Sequence, residues 1–374
     1  MCKKFVFQIQ PSSITPEQGE HLLHVNDQLH LLLEQQKNMI TEHFRSKKWD
    51  KYKKHSNSYE LIFTSCHTLP SIATYSPISR SYFKLWETLC DFESVIGLRD
   101  REHVKALFIA EGPGGFVEAF CNYRPDKADS LYGMTLISDC KNVPSWKVPE
   151  HLIKSRQIQL VTGHDGTGSL YNKENRAYLK RHVGAHSCDL ITADGGFDFS
   201  SDFNSQEELS MQLITAEIKT ALQIQKAGGI FILKIFDIHS CSTMKLISIL
   251  TKFYDQVFIT KPFTSRPANS EKYLVCTGYK IRVDLAQALA EMENLDKMRL
   301  DLSVLPSMIE YNTTYILRQC TQINKTLLYI NCLAADTVQF KQVLRDQIKK
   351  ALRWCFKYSV SINKEALGYY KSVL

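Results

Sequence analysis

The stretch "VKALFIAEGPGGF", Val104–Phe116, decides the fold. A short apolar run passes directly into a glycine-rich turn, and helical spacing follows. Glycines at 112, 114 and 115 let the backbone turn sharply and approach a ligand with no Cβ in the way. Downstream come six more apolar runs: "SLYGMTLIS", "QIQLVTG", "CDLITAD", "GGIFILKIF", "QVFITKP" and "KYLVCTGY". Helical stretches separate the early ones. Seven strands arranged this way predict an α/β fold, a mostly parallel sheet covered on both faces, over about residues 104–280. In such a sheet the glycine turn lies at the carboxyl ends of the strands, where ligands bind.

Details refine that frame. A dinucleotide fingerprint needs glycine at 117, where Val117 stands. Pro113 stiffens the turn and removes a donor, which suits a nucleoside with a small amino-acid tail better than a pyrophosphate. Ser205 and Glu208 form a capping box opening a helix that Gly228 and Gly229 are expected to stop. About ten irregular residues join the last two strands, too few for a helical crossover, so these strands are expected to be antiparallel neighbours at the sheet edge.

Outside the sheet, residues 16–46 and 284–374 carry helical spacing. The expected organisation is an N-terminal helical extension (1–75), a sheet domain (76–282) and a C-terminal helical extension (283–374). "RSKKWDKYKKH", Arg45–His55, is basic with interleaved aromatics and fits either a solvated helix face or a phosphate-tracking surface. The 374 residues are 44% hydrophobic and 23% charged, with a net charge of +7, ordinary for a globular protein and compatible with a polyanionic partner. Eleven scattered cysteines include no C-x-x-C pair, which argues against zinc ribbons and disulfide frameworks and for reduced thiols in an intracellular compartment. "HVGAH", His182–His186, lacks the glutamate of a zinc-protease motif, and no metal site is expected. The apolar run at the N-terminus is too short for a signal peptide, and no run is long enough to span a membrane.

Charged residues at strand ends draw attention. "DLITADGGF" places Asp194 at a carboxyl end, and "GGIFILKIF" buries Lys234 among aliphatic neighbours. Burying an ammonium is costly unless a partner offsets it or the proton leaves. Glu271 opens the last strand after the polar stretch "TSRPANS", and Lys84 lies in "SRSYFKLWE", on a helix expected just before the sheet. The set reads as a structural ion-pair cluster or as a centre that activates a hydroxyl.

Five ordered motifs, "EGPGGF", "GMTL", "ADGGF", "GGIFILKIF" and "TSRPANSEKYLVC", resemble those of the FtsJ-like ribose 2′-O-methyltransferases. The chain is most similar to their branch of cap-specific mRNA (nucleoside-2′-O)-methyltransferases of eukaryotes and large DNA viruses. The resemblance covers about Ser79–Lys280 and neither extension. It implies a Rossmann-fold methyltransferase using S-adenosylmethionine, with Lys84, Asp194, Lys234 and Glu271 as a catalytic tetrad and Lys234 as base. It implies a donor site of Glu111, Gly112, Pro113, Gly114, Gly115, Phe116, Asp165 and Asp194, with Asp139 toward the donor ribose. Ser169 stands where the family usually has an acidic residue against the adenine, and Asp165 is the expected substitute. Arg80, Ser265, Arg266, Asn269 and Ser270 would line the RNA side. The implied partner is RNA with an N7-methylguanosine cap, not DNA, which lacks the 2′-hydroxyl. A cellular member would be nuclear, and one from a virus replicating outside the nucleus cytoplasmic. Two alternatives remain open: an FtsJ-like enzyme of ribosomal or transfer RNA, and a catalytically silent RNA-binding scaffold.

Overall fold

A computed structural model describes residues 6–44, 47–66, 68–140, 143–196, 202–333 and 337–373. Phe197 of the "ADGGF" motif and Arg45 and Ser46 of the basic run lie outside the described residues. The strands are β1 (Val6–Gln8), β2 (Lys105–Ile109), β3 (Ser130–Met134), β4 (Gln159–Leu160), β5 (Cys188–Ala193), β6 (Gln225–Ile235), β7 (Tyr254–Thr260) and β8 (Lys272–Tyr279). The helices are α1 (Pro16–Phe44), α2 (Lys48–Ser56), α3 (Ser81–Ile96), α4 (Gly115–Tyr123), α5 (Glu150–Ser155), α6 (Lys173–Val183), α7 (Gln206–Ile224), α8 (Cys241–Phe253), α9 (Leu285–Glu291), α10 (Leu305–Cys332), α11 (Val338–Lys357) and α12 (Lys364–Val373). Among the described residues no helix is long and apolar enough to cross a membrane.

The sheet has eight strands in the order β1-β7-β8-β6-β5-β2-β3-β4. Pairings from β4 to β6 are parallel, and β8 runs antiparallel to both β6 and β7. The expected mostly parallel α/β sheet is therefore present, with one strand more than the seven expected. The addition is β1, whose three residues pair antiparallel with β7, Val6 opposite Thr260. Three residues carry no readable period. The last two strands are antiparallel as expected, but β1, not β7 or β8, forms that edge of the sheet.

Side chains alternate across β6, and each set meets a different helical layer. Phe231 and Leu233 pack in a core with Leu222 of α7 and Leu250 of α8. Ile230 and Ile232 pack on the other face with Leu89 of α3, Phe120 of α4 and Trp354 of α11. A third, smaller core joins Leu33 and Ile40 of α1 to Trp49 of α2 and Ile316 and Ile323 of α10.

Two local expectations fail around α7. The Ser205 hydroxyl donates to Asp202 and makes no capping bond. The helix ends at Ile224, before the glycine pair, because the Gln225 side chain donates to the Cys188 and Asp189 carbonyls and starts β6 early. Gly228, at φ +73°, thus lies inside the strand.

Candidate active site

The turn between β2 and α4 needs its glycines for close approach. A Cβ on Gly112 would lie 2.1 Å from the Pro144 carbonyl oxygen, and one on Gly115 2.3 Å from both the Ser79 and Ser81 hydroxyls. The Gly112 amide donates to Thr135 Oγ1 at 3.0 Å, fastening the turn to the end of β3. Beside it opens a cleft of about 750 Å³. Its walls are this turn, Thr135 and Leu136, the segment Gly168–Tyr171, Asp194–Gly196, Lys234, Ser79–Ser81 and Asn269–Glu271. It lies at the strands' carboxyl ends, across the β2–β5 junction where the chain direction of winding reverses.

Four charged side chains gather here: Asp194, Lys234 and Glu271 line the cleft, and Lys84 reaches Glu271 without lining it. β6 and β8 pair with Lys234 opposite Tyr273, which puts Glu271 just beyond the amine. Lys234 Nζ donates to the Asp194 carbonyl at 2.5 Å and lies 3.3 Å from Asp194 Oδ1. Lys84, on α3, donates to Glu271 Oε2 at 2.7 Å. The four side chains are only 11–14% exposed. Glu271 Oε1 is buried with no hydrogen-bond partner among the described residues. Gly196 leaves room over the lysine, since a Cβ there would lie 3.0 Å from Lys234 Nζ.

The electrostatics follow from this packing. Burial disfavours the charge on Lys234, but Asp194, Glu271 and Glu217 outweigh it and raise the amine above its ordinary value. Burial likewise opposes the charge on Glu271, yet Lys84, Lys234 and Lys261 bring the carboxyl down to about 2. Glu217 of α7, buried below Gly195, is pushed up to about 8 by burial against the pull of Lys234.

The other expected residues divide into groups. Gly112, Pro113, Arg80, Asn269 and Ser270 line the cleft, and Gly114 and Gly115 complete the turn at the start of α4. Glu111 and Phe116 lie behind it. Glu111 accepts from Thr192 Oγ1 at 2.9 Å, its carboxyl raised by burial and by Asp194, and Phe116 is wholly buried. Ser265 and Arg266 do not line the cleft. Ser265 Oγ accepts from Lys261 at 3.2 Å, and Arg266 forks onto Glu60 at 3.0 and 2.8 Å. Asp165 is spent within its own loop, accepting from Thr167, Asn172 and Asn175, while Ser169 reaches the cleft wall. Asp139 is exposed and outside that wall.

Three contributors escaped the sequence reading. Tyr273 donates to Asp194 Oδ1 at 2.9 Å; it lies two residues past Glu271 and so faces the same side of the strand. Lys261 donates to the Asn269 carbonyl at 2.8 Å, to Asn269 Oδ1 at 2.7 Å and to the Glu271 carbonyl at 2.6 Å. Burial lowers this amine to about 7. Unlike Lys234, it stands one residue past its strand and carries no signal in the sequence. Asp237 collects Lys37 Nζ at 2.6 Å, Lys272 Nζ at 3.1 Å and Ser270 Oγ at 2.9 Å. No pattern in the chain announces a partner 200 residues away.

Comparisons with known proteins bear on this arrangement. The family model described as FtsJ-like methyltransferase matches residues 77–279, more than half of the chain. A cap-specific mRNA (nucleoside-2′-O-)-methyltransferase 1 from Danio rerio is 27% identical over 372 residues, covering 90% of this chain and 43% of the relative. The Homo sapiens protein of that name is 30% identical, covering 68% of this chain and 33% of its own length. The Drosophila melanogaster one is 31% identical, covering 52% and 24%. The chain thus spans less than half the length of these relatives. From the match over residues 77–279, the chain belongs to the FtsJ-like methyltransferase family.

Proposed function

We propose that the chain transfers a methyl group from S-adenosylmethionine to the ribose 2′-hydroxyl of a 5′-terminal nucleotide of capped mRNA. The observation that carries this is the gathering of two lysine–carboxylate pairs, Lys234–Asp194 and Lys84–Glu271, at the cleft, with Asp194, Lys234 and Glu271 lining it.

The cleft fits the donor on structural grounds. Close backbone packing, Gly112 against the Pro144 carbonyl and Gly168 against the Thr135 carbonyl, fixes the turn and the Gly168–Tyr171 segment that wall it. The amino end of α4 opens beside the turn and favours an anion such as a carboxylate. Asp194 would hold the donor's amino group, the glycine turn its carboxylate end, and Ser169 with backbone groups the adenine side. S-adenosylmethionine supplies a methyl group already activated on a sulfonium. The protein's own task is then positioning and proton removal.

In this reading Lys234 takes the hydroxyl proton, fixed toward the cleft by the Asp194 carbonyl. Lys84 holds Glu271 at the cleft, and the Glu271 charge adds to that of Asp194 beside the Lys234 amine. Arg80, Asn269 and Ser270 line the RNA side. Ser265 and Arg266 support that wall from behind. A site built on a 2′-hydroxyl excludes DNA. Two findings favour capped mRNA over ribosomal or transfer RNA: the names of the relatives, and an alignment to the Danio rerio protein that extends over 90% of this chain and so into both extensions. The ten described cysteines are free thiols, which fits an intracellular enzyme, nuclear in a cell or cytoplasmic for a virus replicating there.

The test uses labelled donor and three RNAs of one sequence: uncapped, guanosine-capped and N7-methylguanosine-capped. Label on the first or second ribose of the capped RNAs alone is the expected result. Label regardless of the 5′ end would move the substrate to ribosomal or transfer RNA, and binding without transfer would leave a silent scaffold.

A further inference from the structure

A second pocket, of about 170 Å³, lies where the segment after α2 meets Lys261–Asn269, α10 and α11. Its charge is one-sided. Lys261, Lys272, Arg318 and Lys350 line it and no carboxylate does. Lys272 pairs with Asp237, and Lys261 holds Asn269 and the Glu271 carbonyl. The other two stand at the rim on different helices. Arg318 is exposed on α10, and Lys350 of α11 lies 5.8 Å over the Tyr59 ring while donating to Ser58 Oγ at 2.8 Å. Tyr59 and Phe263 stack at 4.7 Å between centroids and give the pocket a flat aromatic wall. Asn269 lines both this pocket and the reaction cleft, so the two are neighbours.

Cations on two helices around a pocket that no carboxylate lines suit a phosphate, whose charge they would take. We propose that this pocket holds a phosphate of the same RNA strand whose ribose lies in the cleft. The phosphate belongs either to the 5′–5′ bridge of a cap or to a phosphodiester downstream. The inference rests on the reading above, in that it takes the strand to be RNA. It also gives the extensions a task, because Tyr59, Arg318 and Lys350 all lie outside the matched residues 77–279.

Arg318→Gln and Lys350→Gln test it, read by fluorescence anisotropy through a salt titration. The probes are a cap dinucleotide, a capped oligonucleotide and the same oligonucleotide uncapped. Each variant should bind the relevant RNA about tenfold more weakly, the loss of one charge-assisted contact. The slope of log K against log salt should fall by about 0.7 per lost contact. Binding of S-adenosylhomocysteine and the melting temperature should stay as in the wild type, and Arg318→Lys should keep most of the affinity. Weakening on the cap dinucleotide identifies the bridge as the source, and weakening confined to oligonucleotides identifies the downstream strand. Either upholds the proposal, whereas unchanged affinity and slope on all three probes overturns it. A wild type that binds RNA in this way yet transfers no methyl group removes the proposed reaction and leaves the pocket standing. A wild type that binds none of the probes removes both.

Discussion

Burial of the Lys234 amine favours the neutral form that a base needs, while three nearby carboxylates favour the charged form and prevail. The free amine is therefore scarce at neutral pH, and its fraction grows tenfold with each unit of pH below the pKa. Transfer at saturating donor should accordingly rise with pH, with a slope near one on logarithmic axes, through the neutral and mildly alkaline range. A flat profile there would take the base role from Lys234. Glu217, itself raised to about 8, opposes the free amine only above that pH, so Glu217→Gln should raise transfer in the alkaline part of the profile and leave the neutral part unchanged. Lys234→Met should abolish transfer and leave binding of S-adenosylhomocysteine intact. The sign is opposite for Glu271, whose carboxyl is held down at about 2 by the surrounding lysines. Its stabilising share is present above the ordinary carboxyl value and is lost as the pH falls toward 2. Much of this centre was legible in the sequence, since a lysine inside an aliphatic strand and an aspartate at a strand end announce themselves by cost. Lys261 is not legible, because a lysine one residue past a strand is ordinarily exposed. Asp165 is legible only as an acid near the right place, and its bonds go to Thr167, Asn172 and Asn175 instead of the cleft.

At the scale of elements, the segment from Lys261 to Glu271 is held from several sides at once. Lys261 grips it from within. Glu87 of α3 accepts the Phe263 and Thr264 amides at 2.7 and 3.1 Å, and Gln319 of α10 donates to Ser270 Oγ at 3.2 Å. A neutral side chain at 261 would leave two carbonyls and an amide oxygen without their donor. Lys261→Met should thus lower turnover by about tenfold with donor binding unchanged, and Lys261→Arg should recover part of the loss. Equal turnover in wild type and Lys261→Met would show that other contacts suffice to hold Glu271. Asp237 ties α1 to the same region through Lys37, both side chains being at most 7% exposed. Breaking one arm of such a buried pair costs about 3–5 kcal/mol. Urea unfolding of Lys37→Met should show a loss of that size, and a change below about 1 kcal/mol would mean that Lys272 alone suffices for Asp237. The capping box at Ser205 does not form because Asp202, three residues back, takes the hydroxyl, while the far end of α7 is set by the tertiary bond from the Gln225 side chain to the Cys188 carbonyl. Periodicity could find α1 and β6, while β1 is defined only by the partner it pairs with.

Over the whole molecule, the helices outside the family match are built into the same cores as the sheet. Leu344, Ile348 and Trp354 of α11 and Tyr370 of α12 are buried in one cluster with Ile230, Ile232 and Val275 of the sheet. Helical spacing predicted these helices, but nothing in it told which face of the sheet they would cover, because an apolar stripe does not name its partner. The Trp354 indole also donates to Glu87 Oε2 at 3.0 Å, so α11 reaches the carboxylate that fixes the segment before Glu271. Each large apolar side chain withdrawn from such a core costs about 1.5–3 kcal/mol. Four of them sum to about 6–12 kcal/mol, comparable with the whole stability of a typical domain, about 5–15 kcal/mol. A chain ending after residue 337 should therefore fail to fold as a unit. The expected result is loss of the cooperative thermal transition and strong binding of a hydrophobic dye at low temperature. If that shortened chain instead melts cooperatively near the full-length temperature and still binds S-adenosylhomocysteine, the sheet domain stands alone and α11 and α12 are ornaments on its surface.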